Sequence, residues 1–331
     1  MTLFWIGVFI ISLLVMLKGA DWFLSSSEHV GLTMGLSPFI IGITIVAVGT
    51  SLPELITSLF AVFQGSPEIV MGNVVGSNIA NIFLVMGIAI IIGKKLTINK
   101  DLINLDLPLL AASTVLFLVI ATDGVITFPE AIILLVGHVI YFLYSIFYKE
   151  EHSTTVSDIL IDEPTAEEKI FEPVVPNKNE RPNITVRDIV FLVLGIAGLI
   201  LGSKYLIESV IQLSVIFAIA PGVIAISAVA FGTSLPELLV SGMAAYKGKA
   251  EVAIGNIFGS NVFNVLVVAG IPALFTNLPI DPKTLTLGLP FLIIATVMFV
   301  ISGISRNLYH WEGFFFILIY LVFIGKLFGF L

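Results

Sequence analysis

Residues 49–54 read Gly-Thr-Ser-Leu-Pro-Glu, and residues 232–237 read Gly-Thr-Ser-Leu-Pro-Glu again, 183 positions later. A second motif returns at the same offset. Gly72-Asn73-Val74-Val75-Gly76-Ser77-Asn78-Ile79-Ala80-Asn81 is matched by Gly255-Asn256-Ile257-Phe258-Gly259-Ser260-Asn261-Val262-Phe263-Asn264. Aligned without a gap, 38–88 and 221–271 are identical at 25 of 51 positions. Each copy sets one glutamate beside a helix-breaking proline inside an apolar run. One such carboxylate per half is what a membrane transporter needs to hold a cation partway across a bilayer.

Composition places the motifs in a membrane. The 331 residues are 58% hydrophobic and 11% charged, with a mean hydropathy of +1.10. A soluble chain carries about 25% charged residues. There are no cysteines, which excludes disulfides and thiolate metal sites, and the four histidines show no ligand spacing. We read an all-α integral membrane protein. Its ten transmembrane helices lie at about 3–24, 38–63, 69–93, 104–121, 125–148, 188–208, 221–246, 251–275, 284–303 and 312–330. The first span lacks a basic start and a small-residue cleavage site, so it reads as retained.

Lysine and arginine set the orientation. Loops holding Lys18, Lys94, Lys95, Lys100, Lys149, Lys169, Lys178, Arg181, Arg187, Lys247, Lys249 and Arg306 share one side, against Lys204, Lys283 and Lys326 on the other. The basic side should be cytoplasmic, with both termini outside. Five spans precede the second copy, and five is odd, so the halves enter the membrane in opposite senses. The expected organisation is two inverted-topology five-helix repeats, 1–148 and 188–331, joined by an acidic cytoplasmic linker, 149–187. The linker carries nine acids between Glu150 and Glu180, and four prolines. It has no EF-hand pattern, so a solvated loop is the plainer reading and a regulatory calcium site the sharper one.

The chemistry follows from residue types. Pro53 has no amide hydrogen and crowds the carbonyl of Gly49, so the backbone near 49–51 should open. Thr50 and Ser51 add hydroxyls and Glu54 a carboxylate. Ala47, Ser51, Glu54 and Ser58 share a helix face, as do Asn73, Ser77 and Asn81. Ala230, Thr233, Ser234 and Glu237, then Asn256, Ser260 and Asn264, repeat the set. Four such segments brought together would make an all-oxygen cage around two carboxylates, suited to calcium and sodium and unsuited to soft metals. Serine and asparagine stripes can also serve helix packing alone. Two carboxylates at equivalent apolar positions are harder to explain that way. Glu68 and Glu251 sit where helices should begin and read as structural. Trp22 and Trp311 read as interfacial anchors.

With both motifs in both halves, the chain resembles the sodium/calcium exchangers of the cation/calcium antiporter superfamily. The resemblance spans nearly the whole chain and is most specific over 38–88 and 221–271. It implies a secondary antiporter that exchanges sodium for calcium by alternating access. The cargo ions are calcium and sodium, with no cofactor, no enzymatic activity, no nucleic acid and no evident protein partner besides the lipid bilayer. By resemblance, Glu54 and Glu237 bind calcium, and Thr50 and Thr233 lend backbone carbonyls. Ala47, Ser51, Ser77, Ala230, Ser234 and Ser260 serve sodium, while Asn81 and Asn264 face the central site. Potassium-dependent relatives, and some prokaryotic exchangers, carry aspartate where Asn264 stands; with asparagine in both repeats the chain resembles the potassium-independent branch. The resemblance also implies that spans 1 and 6 slide as a pair across a rigid core. A short linker without a folded regulatory domain points to a prokaryotic inner membrane. The alternatives are a calcium/proton antiporter on the same fold and, from another class, a calcium-gated channel or sensor, which the inverted repeat disfavours.

Overall fold

The computed structural model describes residues 2–63, 65, 67–97, 107–155, 184–216, 232–305 and 307–331. Its architecture is mostly helical. The first half contributes α1 (Thr2–Thr33), α2 (Gly42–Thr50), α3 (Leu52–Phe63), α4 (Glu68–Gly93), α5 (Leu107–Asp123) and α6 (Phe128–Thr155). The second half contributes α7 (Val186–Ile216), α8 (Leu235–Tyr246), α9 (Ala250–Ala273), α10 (Thr284–Ile304) and α11 (His310–Leu327). The 183-residue offset carries α3 onto α8 residue for residue and brings α1 and α4 within a few residues of α7 and α9.

Among the described residues, six helices are long and apolar enough to cross a membrane, or seven if the bent pair α2–α3 is one span. That is fewer than the ten expected. Helix α5 is apolar but shorter, and the span expected over 221–246 begins outside the described residues. Several expected edges move outward. Helix α1 runs on to Thr33 and so includes Asp21 and Glu28. Helix α6 continues to Thr155, so the first residues of the expected linker are helical.

Helices α4 and α9, which carry the second motif, form the centre. Helix α9 is buried along its whole apolar stretch and α4 along most of it, whereas α1, α6 and α11 turn most of theirs outward. The outer surface is apolar, with Phe4, Ile11, Val119, Ile140, Ile301, Phe315 and Leu318 exposed. Lipid chains are the environment that such a surface suits, and helices satisfy their backbone there without water.

Small residues let the helices touch. A Cβ added to Gly19 of α1 would meet the carbonyl oxygen of Gly195 in α7 at 3.0 Å. One on Gly202, the equivalent of Gly19, would lie 3.1 Å from the carbonyl oxygen of Ser12 in α1. The α1–α7 crossing is thus a backbone-to-backbone approach that larger side chains would prevent. Trp22, expected as an interfacial anchor, stacks on Phe191 of α7 with ring centroids 5.3 Å apart. At the same end, His29 Nδ1 lies 3.0 Å from Asp188 Oδ1.

The α8–α9 turn holds this pair to the rest of the protein. Lys247 Nζ lies 2.6 Å from Asp21 Oδ1, and Lys249 pairs with Glu28. Between the lysines, Gly248 has φ of +75°, and its equivalent in the α3–α4 turn, Gly65, has +79°. Glycine suits both turns because it alone reaches that region without steric cost. The first-half turn has Gln64 and Ser66 where the lysines stand, so its sequence offers no charge for such a pairing.

Two short antiparallel ladders complete the fold. Strand β1 (Lys95–Thr97) pairs with β4 (Asn307–Tyr309), and β2 (Val125–Ile126) pairs with β3 (Leu278–Pro279). The registers include Leu96 opposite Leu308, and Pro279 opposite Val125. The 183-residue offset converts the first pair into the second. Each ladder therefore takes one strand from each half, and exchanging the halves exchanges the ladders.

Candidate ion-binding site

The proline motifs break their helices in the same way. Ser51, between α2 and α3, has φ −87° and ψ 4°, and Ser234, before α8, has φ −83° and ψ 2°. Pro53 and Pro236 follow two residues later, and neither can donate to the carbonyl four residues back. In the first half the two helical segments meet at 42°. The break has a consequence that the sequence reading missed. It starts a new helix, so Glu54 and Glu237 fall in the first turns of α3 and α8. A helix N-terminus favours negative charge and partly offsets the cost of burying each carboxylate.

Both glutamates are fully buried, at 0% exposure. Ser51 donates to Glu237 Oε1 at 2.9 Å, while Glu237 Oε2 and both carboxylate oxygens of Glu54 have no protein hydrogen-bond partner. The Thr233 hydroxyl bonds Asn73 Oδ1 at 3.3 Å. Ser234 Oγ and the side-chain amides of Asn81 and Asn264 are likewise buried without a partner. An unmet buried polar group costs about 1–3 kcal/mol, and more if charged. Cations would remove that cost for the carboxylate, hydroxyl and amide oxygens, though not for the donating Nδ2 groups of the asparagines.

The hydroxyls and amides around the carboxylates form a reciprocal network. Thr50 donates to Asn256 Oδ1 at 3.1 Å, the counterpart of the Thr233–Asn73 bond. Thr50 Oγ1 lies 3.4 Å from Ser260 Oγ, and Thr233 Oγ1 lies 3.4 Å from Ser77 Oγ. Asn73 Nδ2 donates to Ser58 Oγ at 3.1 Å, and Asn256 Nδ2 to Ser241 Oγ at 2.8 Å. Every bond in this set has a partner at the 183-residue offset. The Ser51–Glu237 bond breaks the pattern, since Ser234 makes no equivalent bond to Glu54.

Most of the expected site residues converge. Thr50, Ser51, Ser77, Thr233, Ser260 and Glu237 are joined by these contacts. Glu54 is tied in through its backbone oxygen, 3.3 Å from Asn73 Nδ2. Ala47 is buried and its carbonyl accepts from the amide of Ser51 at 3.0 Å. Ala230 lies outside the described residues. No hydrogen bond among the described residues joins Asn81 or Asn264 to the carboxylates. Each instead opens a π-helical segment, Asn81–Val85 and Asn264–Val268, in which Met86 and Ala269 donate to the asparagine carbonyl five residues back. Such bulges recur at functional positions. Gly259 permits α2 to lie against α9, since a Cβ there would sit 2.5 Å from the Ile43 carbonyl oxygen. Asn73 and Asn256, which sequence reasoning placed on the cage-forming faces but which the resemblance does not assign to an ion, connect the site's two sides. Their spacing of four from Ser77 and Ser260 was the available signal.

Among the described residues, no cluster gathers three or more histidine, cysteine, aspartate or glutamate side chains. The donor set is two carboxylates amid hydroxyl, amide and carbonyl oxygens, a chemistry that favours hard cations.

Helices that traverse a bilayer and a buried oxygen-rich centre shared by two repeats define an ion-transporting membrane protein. A family model described as sodium/calcium exchanger protein matches residues 4–147 and 188–328. Sodium/calcium exchanger MaX1 of Methanosarcina acetivorans is 32% identical over 97% of this chain and 97% of its own. Inner membrane protein YrbG of Escherichia coli is 31% identical over 91% of this chain and 89% of its own. Among solved structures, the sodium-calcium exchanger NCX_Mj, from crystals soaked with sodium and no calcium, aligns with a TM-score of 0.79. It is 29% identical, covering 98% of this chain and 99% of that one. The chain belongs to the sodium/calcium exchanger family.

Proposed function

We propose that this protein is a secondary antiporter that exchanges sodium for calcium by alternating access, electrogenically and without potassium. The observation that carries the reading is the pair Glu54 and Glu237, one from each repeat, fully buried with three of their four carboxylate oxygens unpartnered. Two carboxylates balance one calcium ion. Thr50 and Thr233 add carbonyls, and Ala47, Ser51, Ser77, Ala230, Ser234 and Ser260 supply the oxygens for sodium. Asn81 and Asn264 close the centre. The same carboxylates serve either ion in turn, and that competition enforces exchange. The relatives agree in kind: NCX_Mj crystals were soaked with sodium and calcium, and MaX1 is a sodium/calcium exchanger.

The architecture we infer is ten spans in two inverted repeats, 1–148 and 188–331, with 149–187 as a cytoplasmic linker and both termini outside. Matching helix bounds and reciprocal ladders support the repeat. The ion pairs joining α1 to the α8–α9 turn support placing those two basic segments on one face. The setting is a prokaryotic inner membrane, consistent with the name of the Escherichia coli relative.

The test is calcium uptake by proteoliposomes under separate sodium, potassium and proton gradients. Uptake that follows an outward sodium gradient supports the reading. Uptake that ignores sodium and follows the pH gradient refutes it in favour of the proton-coupled antiporter.

A further inference from the structure

We propose that Asn73 and Asn256 are positioning residues for ion exchange, each bracing the helix break of the opposite repeat through the hydroxyl of its threonine. The inference rests on the antiporter reading of the same site and goes beyond it, because neither asparagine belongs to the ligand set.

Each amide uses its two ends differently. The Nδ2 group of Asn256 donates within its own repeat to Ser241, and its Oδ1 accepts from Thr50 of the other repeat. Asn73 does the same with Ser58 and Thr233. All six side chains are buried, with exposures of 4% or less. An amide carries donors on one atom and acceptor lone pairs on the other, so it can join two hydroxyls without competing for one proton. A serine or an aspartate there could not reproduce both ends in the same way. The serine partner, fixed on α3 or α8, holds the amide plane. The amide then holds the threonine immediately before the break, whose backbone precedes the carboxylate by four residues in sequence.

This geometry ties the spacing of the two carboxylates to the packing of the two repeats. Thr50 precedes Glu54 and is anchored to the helix of the second repeat. Thr233 precedes Glu237 and is anchored to the helix of the first. A shift of one repeat against the other moves both threonines, and with them the oxygens that follow. Neither asparagine needs to touch an ion to set how well the cage fits one.

The test uses full-length protein in proteoliposomes, with calcium as the probe. The variants are Asn256→Leu, Thr50→Val, Asn73→Leu and Thr233→Val, singly and in pairs. Each single variant should raise the calcium concentration for half-maximal sodium-dependent uptake about tenfold, the size expected when one buried hydrogen bond is left unmade. The maximal rate per folded protein should fall much less. Within a bonded pair, Asn256→Leu with Thr50→Val should be no worse than the worse single variant. Across unbonded pairs, Asn256→Leu with Thr233→Val should multiply. Multiplication within the bonded pairs would overturn the brace, as would unchanged half-saturation in active protein.

Two further arms guard against misfolding and against failure of the antiporter reading. Thr50→Ser keeps the hydroxyl and should raise half-saturation far less than Thr50→Val does. Equal behaviour of the two overturns the proposal even if the asparagine variants do not fold. The same pairwise cycles are measured on the melting temperature in ion-free detergent solution. Additive shifts there remove the brace whatever the protein transports, whereas coupled shifts with no sodium-dependent uptake keep the brace and reject the antiporter.

Discussion

Glu54 and Glu237 carry the same sequence context but different local bonds. Ser51 holds one oxygen of Glu237 at 2.9 Å, and Glu54 has no such restraint. Both should nevertheless be indispensable, because removing either leaves one carboxylate against a divalent charge. Glu54→Gln and Glu237→Gln, each near-isosteric, should reduce vesicle calcium flux to background while the protein still purifies as a folded species. Near-native flux in either variant would show that the site is elsewhere. Asn264 gives a second expectation. With no third carboxylate in the cage, a potassium ion gains little by accompanying calcium, so replacing potassium with choline on both sides should leave sodium-driven flux intact. Asn264→Asp should change that ion dependence more than it changes expression. These residues were legible because they recur in both repeats. The bracing asparagines were only half legible: a stripe at intervals of four gives the face, but not the partner on the far repeat.

At the scale of helices, the breaks at Ser51 and Ser234 could be read from proline chemistry, and the structure places them where Pro53 and Pro236 require. The π-helical segments at Asn81 and Asn264 could not, because no residue type marks an added residue in a helical turn. The strands were equally hidden, being two or three residues long with no alternation to detect. Helices α1 and α6 continue past the expected span edges at Leu24 and Tyr148, where hydropathy falls. That extension matters, since it puts Asp21 and Glu28 on one side of α1, within reach of Lys247 and Lys249. If α1 and α7 slide as a pair, these contacts must break in each cycle. All four side chains are about one-fifth to one-third exposed, so salt will screen them. Raising ionic strength with choline chloride should therefore speed native exchange. Lys247→Gln combined with Lys249→Gln should be faster at low salt and lose that dependence. A native rate indifferent to salt would show that these pairs do not restrain the motion.

For the whole molecule, the proposed exchange sets two carboxylates against one calcium and leaves neutral oxygens for sodium in excess of that charge. On that reading net charge crosses the membrane in each cycle, coupling to voltage by roughly 2.3 kcal/mol per elementary charge per 100 mV. Proteoliposomes loaded with sodium, with calcium outside, should take up calcium faster when a valinomycin potential makes the interior positive, because departing sodium carries the surplus charge outward. Indifference to voltage would indicate electroneutral exchange. The duplicated architecture was legible from the 183-residue offset alone, yet the way the halves interlock was not. Hydropathy reports which segments enter the bilayer and says nothing of which strand from one half meets which from the other.

That interlock bears on whether the protein can be taken apart. Among the described residues, strands β1 and β2 find their partners in the second half, and β3 and β4 in the first. A fragment ending in the linker would present open strand edges and threonines without their asparagines, which invites association with any complementary surface. Split genes encoding 1–168 and 169–331 should consequently behave as a complementation pair. Produced together, the pieces should co-purify and recover sodium-dependent calcium uptake; produced singly, neither should persist as a stable species. An active single fragment would mean that one repeat can satisfy itself with a second copy, the arrangement from which a fused duplicate could have descended.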